Sequence, residues 1–264
     1  MTDDLKIVTW NVNSIKARGE HVEKFLETRS PDMLMVQELK GETFDSAPFD
    51  ALGYGVFMKG QKAYNGVAVF AKKSLSATLI ADELPRDNDD NEDEQARFLD
   101  IEVSGVRYIN IYLPNGNPTG TEKYDYKLAW MDRLHRYATD LIDERVPFLI
   151  GGDFNVIPED KDCHDPKAWE GDALFRPETH AKFRALKHIG LYDAFRMFNR
   201  DGGQYSFWDY QRGAWQNNHG IRIDHFLLSP ALTDRAISCA IDTEPRGWER
   251  PSDHTPVILT LGAA

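Results

Sequence analysis

Apolar positions in this chain fall into short runs that alternate with segments of helical spacing. Leu5 to Val12 is rich in β-branched and aromatic residues and predicts a strand. Val22, Phe25 and Leu26 recur at helical spacing, and Pro31 marks the stop. Met33-Leu34-Met35-Val36-Gln37-Glu38 is a second apolar strand, ending in a carboxylate that is disfavoured inside strands. Val56–Met58 and Gly66–Phe70 predict two neighbouring strands, and Phe98–Val103 with Val106–Leu113 a hairpin across Ser104-Gly105. Lys123 to Arg145 is the longest helix; Leu128, Met131, Leu134, Ala138, Leu141 and Ile142 make its apolar stripe. Val146–Ile150 predicts a buried strand that breaks at Gly151-Gly152 and delivers Asp153 and Asn155. A loop with Pro158, Pro166 and Pro177 leads to a short helix around Phe183 and Leu186, closed by Gly190. Ile221 to Ser229 alternates as a strand does, with Asp224 inside it, and a last strand begins at Val257, just after Asp253-His254.

No low-complexity linker or repeat divides the chain, so 1–264 reads as one domain. Strands alternate with helices but several come in hairpin pairs, which favours α/β with mixed sheets. The net charge of −12 disfavours a nucleic-acid partner at first sight. Eight acidic residues lie between Asp82 and Glu94 with only Arg86 as a base, however, so much of the charge is local. That tract has no periodicity and reads as a mobile surface loop. A basic groove elsewhere stays compatible with the composition. Two distant cysteines, Cys163 and Cys239, fit a reducing compartment. With no signal peptide and no apolar run of membrane-spanning length, the expectation is a soluble cytoplasmic protein without a membrane partner. Nothing demands more than a monomer.

The chemistry lies at strand ends. Asp153 and Asn155, two apart, leave a rigid strand together, which suits gripping a hard cation or orienting water beside a phosphate. An Asx-turn reads the same residues equally well. Asn11 and Asn13 repeat the pattern, and Glu38, Asp224 and Asp253-His254 also sit at strand boundaries. Oxygen donors without a Cys/His cluster select Mg²⁺ or Mn²⁺ over zinc, and His219 and His225 show no zinc spacing. Such a site with one histidine suits phosphodiester hydrolysis.

Six ordered motifs carry a resemblance: Trp10-Asn11-Val12-Asn13, Gln37-Glu38-Leu39-Lys40, Tyr112-Leu113-Pro114-Asn115-Gly116, Gly152-Asp153-Phe154-Asn155, Ile221-Arg222-Ile223-Asp224 and Pro251-Ser252-Asp253-His254-Thr255-Pro256-Val257. The chain resembles, from Leu5 to Leu261, the exonuclease III family of apurinic/apyrimidinic endonucleases in the endonuclease/exonuclease/phosphatase superfamily. The resemblance implies a four-layer α/β sandwich, two packed mixed β-sheets flanked by helices. It implies Mg²⁺-dependent nicking of double-stranded DNA 5′ to abasic sites, with trimming of blocked 3′ ends and 3′→5′ exonuclease action.

Position by position, it implies Glu38 as the main metal ligand with Asn11 beside it and Asp253 at or near a metal. Asp153 is implied to align or deprotonate water, Asn155 to donate to the phosphate, and Tyr112 to sit near it. His254 is implied to bond the phosphate or act as base, oriented by Asp224. Asp153, Asn155 and His254 are counted among the metal-site residues as well. Phe207, Ile221 and Ile223 match the pocket for an extrahelical sugar, and Trp208 and Arg222 are taken with them as substrate-binding. The chain departs from relatives at Leu39 (often threonine), Asn13 (aspartate in some) and Ile221 (tryptophan in some). Lys16, Arg18, Lys40, Lys62, Arg212, Arg222, Arg246 and Arg250 are candidates for lining a DNA groove. Phosphatases of inositol lipids, less selective nucleases, and a DNA-binding relative without catalysis are the alternatives.

Overall fold

The computed structural model of the protein describes residues 4–85 and 95–263. In chain order the main elements are β1 (Leu5–Asn11), α1 (Ile15–Arg29), β2 (Met33–Gln37), α2 (Ala47–Ala51), β3 (Tyr54–Lys59) and β4 (Val67–Lys72). Next come β5 (Thr78–Ala81), β6 (Phe98–Val103), β7 (Val106–Tyr112), α3 (Glu122–Asp143), β8 (Phe148–Asp153), α4 (Pro177–His188) and β9 (Tyr192–Asp193). The chain ends with α5 (Ala194–Phe198), β10 (Asp224–Leu228), α6 (Pro230–Thr233), β11 (Ala236–Ile241) and β12 (Val257–Leu261). The strands form two mixed six-stranded sheets, ordered β11-β12-β1-β2-β4-β3 and β5-β6-β7-β8-β10-β9. β1 runs parallel to β2, and β7 parallel to β8; β12 lies antiparallel to β1, and β10 antiparallel to β8.

Side-chain alternation along these strands builds the layers. Ile7, Met33, Met35, Val67, Val69, Leu149 and Phe226 fill the space between the sheets. Their neighbours one residue on point outward. Val8, Trp10, Leu34 and Val36 pack beneath α1, through Val22, Phe25 and Leu26. On the other side, Ile109, Ile111, Phe148 and Ile150 pack beneath α3 and α4, through Trp130, Met131, Leu134, Phe183 and Leu186. The result is helix, sheet, sheet, helix. No helix among the described residues is long and apolar enough to cross a membrane.

The same alternation positions the site. Asn11, Tyr112, Asp153 and Asp224 continue the inward-facing rows. The C-terminal ends of β1, β2, β7 and β8 meet the starts of β10 and β12 at one end of the sandwich, since Asp224 pairs with Asp153 and Val257 with Thr9. Strand ends of both sheets therefore share one rim.

The expected strands and helices are present, with four differences. β8 does not break at its glycines but runs through them to Asp153. A side chain at Gly151 would put Cβ 2.5 Å from the Phe226 ring, so the glycine lets the sheets approach. Pro177 lies inside α4 as its first residue, where its missing N–H costs nothing. Ile221 and Ile223 lie outside β10; Ile221 makes only isolated bridges to Cys163 and Phe207. The sequence pattern also missed β5, β9 and β11, which are short or edge strands with few buried positions. Most of the acidic tract expected to be a mobile loop, 86–94, lies outside the described residues.

Gly152 has a measurable role. Its φ is 150°, and an added Cβ would stand 2.0 Å from the carbonyl oxygen of Ile111 on β7. Backbone cannot move aside cheaply there, so Gly152→Ala is expected to cost about 2–4 kcal/mol in urea denaturation. A loss below about 0.5 kcal/mol would show that the two strands can part without cost.

Candidate active site

Two strand ends fold alike. After β1 the Asn13 N–H donates to Asn11 Oδ1 at 3.0 Å, and after β8 the Asn155 N–H donates to Asp153 Oδ1 at 2.9 Å. Asn13 and Asn155 both take φ of 47°, and Glu38, just past β2, takes 57°. Asx-turns and functional placement are thus one structure: each turn fixes a polar side chain at the mouth of the sandwich.

Asn11 lies between two acids. Its Nδ2 donates to Glu38 Oε1 and to Asp153 Oδ2, each at 2.9 Å. Its oxygen is taken by the Asn13 N–H, so in this arrangement it presents donors, not an oxygen ligand, to the carboxylates. Tyr112 adds an O–H to Glu38 Oε1 at 2.9 Å, and the Lys40 ammonium lies 2.8 Å from Glu38 Oε2. Burial favours a neutral Glu38, but Lys40 and the Asn11 donor outweigh it and hold its pKa below the usual carboxylate range. Burial, then the charges of Glu38 and Asp153, push the Tyr112 hydroxyl well above its usual pKa of 10, so it stays a proton donor.

His254 joins the two sheets. Its Nδ1–H donates to Asp224 Oδ2 at 2.9 Å, and its Nε2 faces Asp153 Oδ2 at 3.7 Å. Ser206 Oγ donates to the same Asp224 oxygen, and Phe207 meets the imidazole edge-on at 4.9 Å between ring centroids. Burial would lower the pKa of His254, but Asp224 and Asp153 override it and raise it. For Asp153, burial dominates and raises the carboxyl, opposed by His254 and the Asn11 donor. The proton of this tightly coupled pair therefore sits on the imidazole, held in orientation by Asp224.

Asn155 is held by its neighbours. Its Oδ1 accepts from Asn115 Nδ2 at 3.0 Å, and its Nδ2 donates to the Leu113 carbonyl at 2.9 Å. One N–H of the carboxamide has no partner among the described residues. Lys127, completely buried, donates to the backbone carbonyls of Asn155 and Asn115 at 2.6 and 3.1 Å. Burial pulls its pKa down to about 7, against the pull of Asp153 and Asp172.

Donor atoms of Glu38, Asp153 and His254 lie within 4.8 Å of one another. The two carboxylates, steadied by Asn11 and with the Lys40 ammonium already on Glu38, fit a divalent cation, and the protonated imidazole beside them fits an anionic oxygen. Beside them opens a cavity of about 260 Å³, with Trp169, Leu174, Phe207, Ile221 and Ile223 as its apolar wall. Asp253 also lines it, with Oδ1 accepting from Asn13 Nδ2 at 3.1 Å.

Two expected substrate-contacting residues are elsewhere. Trp208 is buried behind Phe207, donating to Asn218 Oδ1 at 3.1 Å and packed edge-on against Trp215; its backbone N–H holds the Asp253 carbonyl at 2.9 Å. Arg222 points into the protein, where it binds Asp162 and Asp193 and meets His225 Nδ1 at 2.9 Å. Both corrections have one cause: adjacent residues of an extended chain face opposite ways, so the residues flanking a pocket wall lie behind it. Of the groove candidates, Lys16, Lys40, Lys62, Arg212 and Arg250 are exposed, Arg18 is half-buried, and Arg246 is buried against the Trp208 carbonyl. Asn115, Asn117, Trp169, Asp172 and Leu174 line the cavity without having been anticipated. The Asn-Gly-Asn after Tyr112 was a usable signal for the first two; Trp169 and Leu174 come from irregular chain that carries none.

Comparison with known proteins agrees with this geometry. The profile described as "Endonuclease/Exonuclease/phosphatase family" matches residues 8–254. The chain is 34% identical to "Exodeoxyribonuclease III" of Haemophilus influenzae over 96% of its own length and 98% of that protein's. Its fold is similar to the 3′ phosphatase NExo from Neisseria bound to product DNA hairpin, at TM-score 0.91 and 35% identity, covering 98% of this chain and 100% of that one. It is equally similar to an AP endonuclease from Archaeoglobus fulgidus, at TM-score 0.90 and 34% identity, covering 98% and 100% of the two chains.

Proposed function

This chain belongs to the endonuclease/exonuclease/phosphatase family, in its exonuclease III branch of phosphodiester-cleaving nucleases, and we propose that it nicks double-stranded DNA 5′ to abasic sites with Mg²⁺ or Mn²⁺. The observation that carries this reading is the convergence of Glu38, Asp153 and His254 beside an apolar slot. A baseless sugar loses little stacking on leaving the duplex, and a small dry slot selects it over an intact nucleotide.

Glu38 and Asp153 would hold the cation, which when bound offsets charge on the phosphate. Asp153 orients the attacking water and takes its proton. Asn155 turns its remaining N–H to the phosphate oxygen on which charge builds, an interaction worth about 3 kcal/mol where the donor is preorganised. Tyr112 turns its O–H from Glu38 to the same phosphate. His254, fixed by Asp224, bonds a phosphate oxygen from the opposite side. Exposed Lys16, Lys62, Arg212 and Arg250 hold the duplex by its phosphates, without reading sequence. A monomer in the cytoplasm would suffice for this work.

Removal of blocked 3′ ends and 3′→5′ exonuclease action are expected companions. The likeness to a 3′ phosphatase supports the former, since a terminal phosphate needs the polar half of the cavity and not the slot. The test incubates protein and Mg²⁺ with a duplex holding one abasic site, an intact duplex, a 3′-phosphate duplex and an inositol phosphate. Expected are nicking of the first to leave a 3′-hydroxyl, slower phosphate release from the third, and no action on the fourth. A chelator should abolish cleavage, and Mn²⁺ should restore it. Phosphate release from the inositol compound, or binding to the abasic duplex without cleavage, would reject the proposal.

A further inference from the structure

Lys127 lies near the start of α3, with its side chain wholly withdrawn from solvent. No carboxylate forms an ion pair with it among the described residues. Its ammonium donates instead to two main-chain carbonyls, those of Asn155 and Asn115. Those two residues are the ones whose carboxamides bond each other at 3.0 Å at the wall of the cavity. The lysine stem runs under Gly116, where a Cβ would stand 2.6 Å from Lys127 Cδ; only a glycine lets the turn sit so low on the helix.

A buried charge without a partner charge costs several kcal/mol, and a methionine would fill the same space at less cost. Stability alone therefore does not account for a lysine here. Its placement does. Asn155 holds a left-handed φ of 47°, and its carbonyl is drawn inward to the ammonium while its side chain is turned to the cavity. The loops after β7 and β8 are tied to one point, below the atom that has to meet the phosphate.

We propose that Lys127 is a positioning residue for phosphoester cleavage: by clamping the Asn115 and Asn155 carbonyls it holds the free N–H of the Asn155 carboxamide on the phosphate. This rests on the reading of Asn155 as the phosphate's donor. The test is a cycle of wild type, Lys127→Met, Asn155→Ala and the double variant, on abasic and 3′-phosphate duplexes with Mg²⁺, with thermal melts alongside. Lys127→Met is expected to lower kcat about 10- to 100-fold with KM changed less than about twofold, because the interaction is made only as charge builds. In the Asn155→Ala background the same change should cost less than about threefold. Multiplied losses in the double variant, or an unchanged kcat in Lys127→Met, would overturn the inference. Should Lys127→Met fail to melt cooperatively, Lys127→Arg decides: it keeps donors for both carbonyls, and a kcat more than about 100-fold down despite a normal melt would count against the clamp. A wild type inactive on both duplexes would instead bring down the functional reading, and this inference with it.

Discussion

Asp153→Asn folds normally and loses turnover on an abasic duplex by about a thousandfold or more. The substitution keeps the shape of the side chain and its turn: the carboxamide oxygen can still accept the Asn155 N–H, as Asp153 Oδ1 does at 2.9 Å. The other oxygen becomes an NH₂ group. It then faces Asn11 Nδ2, the donor that now sits 2.9 Å away, and His254 Nε2 at 3.7 Å. Two donors meet where a donor met an acceptor, a negative charge is lost from the cation site, and no base remains for the water. The fold should be kept, because the bond from the Asn155 N–H and the shape of the side chain are unchanged. Single-turnover rates and a thermal melt check both halves. Turnover within tenfold of wild type would remove Asp153 from the chemistry.

Arg222→Ala is the largest expected loss of stability. The guanidinium is buried and binds Asp162 at 2.6 Å and Asp193 at 2.9 Å, two carboxylates that are themselves buried. Arg196 also bonds Asp162, and His225 Nε2 donates to the Val156 carbonyl at 2.9 Å beside them. Removing Arg222 leaves charge without its partner, at a cost of about 3–5 kcal/mol. Arg222→Met, which fills the space, should cost no less, since both acids stay behind. Urea denaturation at neutral pH measures the loss. Because Ile221 and Ile223 flank Arg222 and line the slot, KM for the abasic duplex should rise in whatever fraction still folds. A loss below about 1 kcal/mol together with a collapse of substrate binding would return Arg222 to the role of a direct substrate contact.

The legible and illegible parts of the site divide on physical lines. Glu38, Asp153, Asp224 and His254 were visible because each lies at or inside the boundary of an apolar strand run, and strand ends are where a sandwich gathers polar groups. Arg222 and Trp208 were misplaced although the same alternation, applied one residue further, turns them away from Ile221 and Phe207. Lys127 was present in the pattern as well. Tyr124, Lys127, Met131, Leu134, Ala138 and Leu141 are buried at helical spacing, so the lysine occupies a core position of the stripe. Gly151-Gly152 looked like a break because glycine weakens a strand; the sheet keeps it because other backbone and an aromatic ring lie too close for any side chain. Trp169 and Leu174 reach the cavity from irregular chain, whose path depends on contacts made elsewhere and not on local period.

Asn11, Glu38 and His254 belong to one sheet, and Tyr112, Asp153, Asn155 and Asp224 to the other. Each half of the sandwich thus owns half of the machinery, and neither could work if produced alone. Catalysis becomes a gauge of how well the halves are docked: a slip of one pleated layer over its companion by a fraction of a residue would separate Asp153 and Asp224 from Glu38 and His254 before any bond in either layer broke. Substitutions deep in the oily seam, remote from DNA, should therefore speak through the reaction rate as much as through the melting curve.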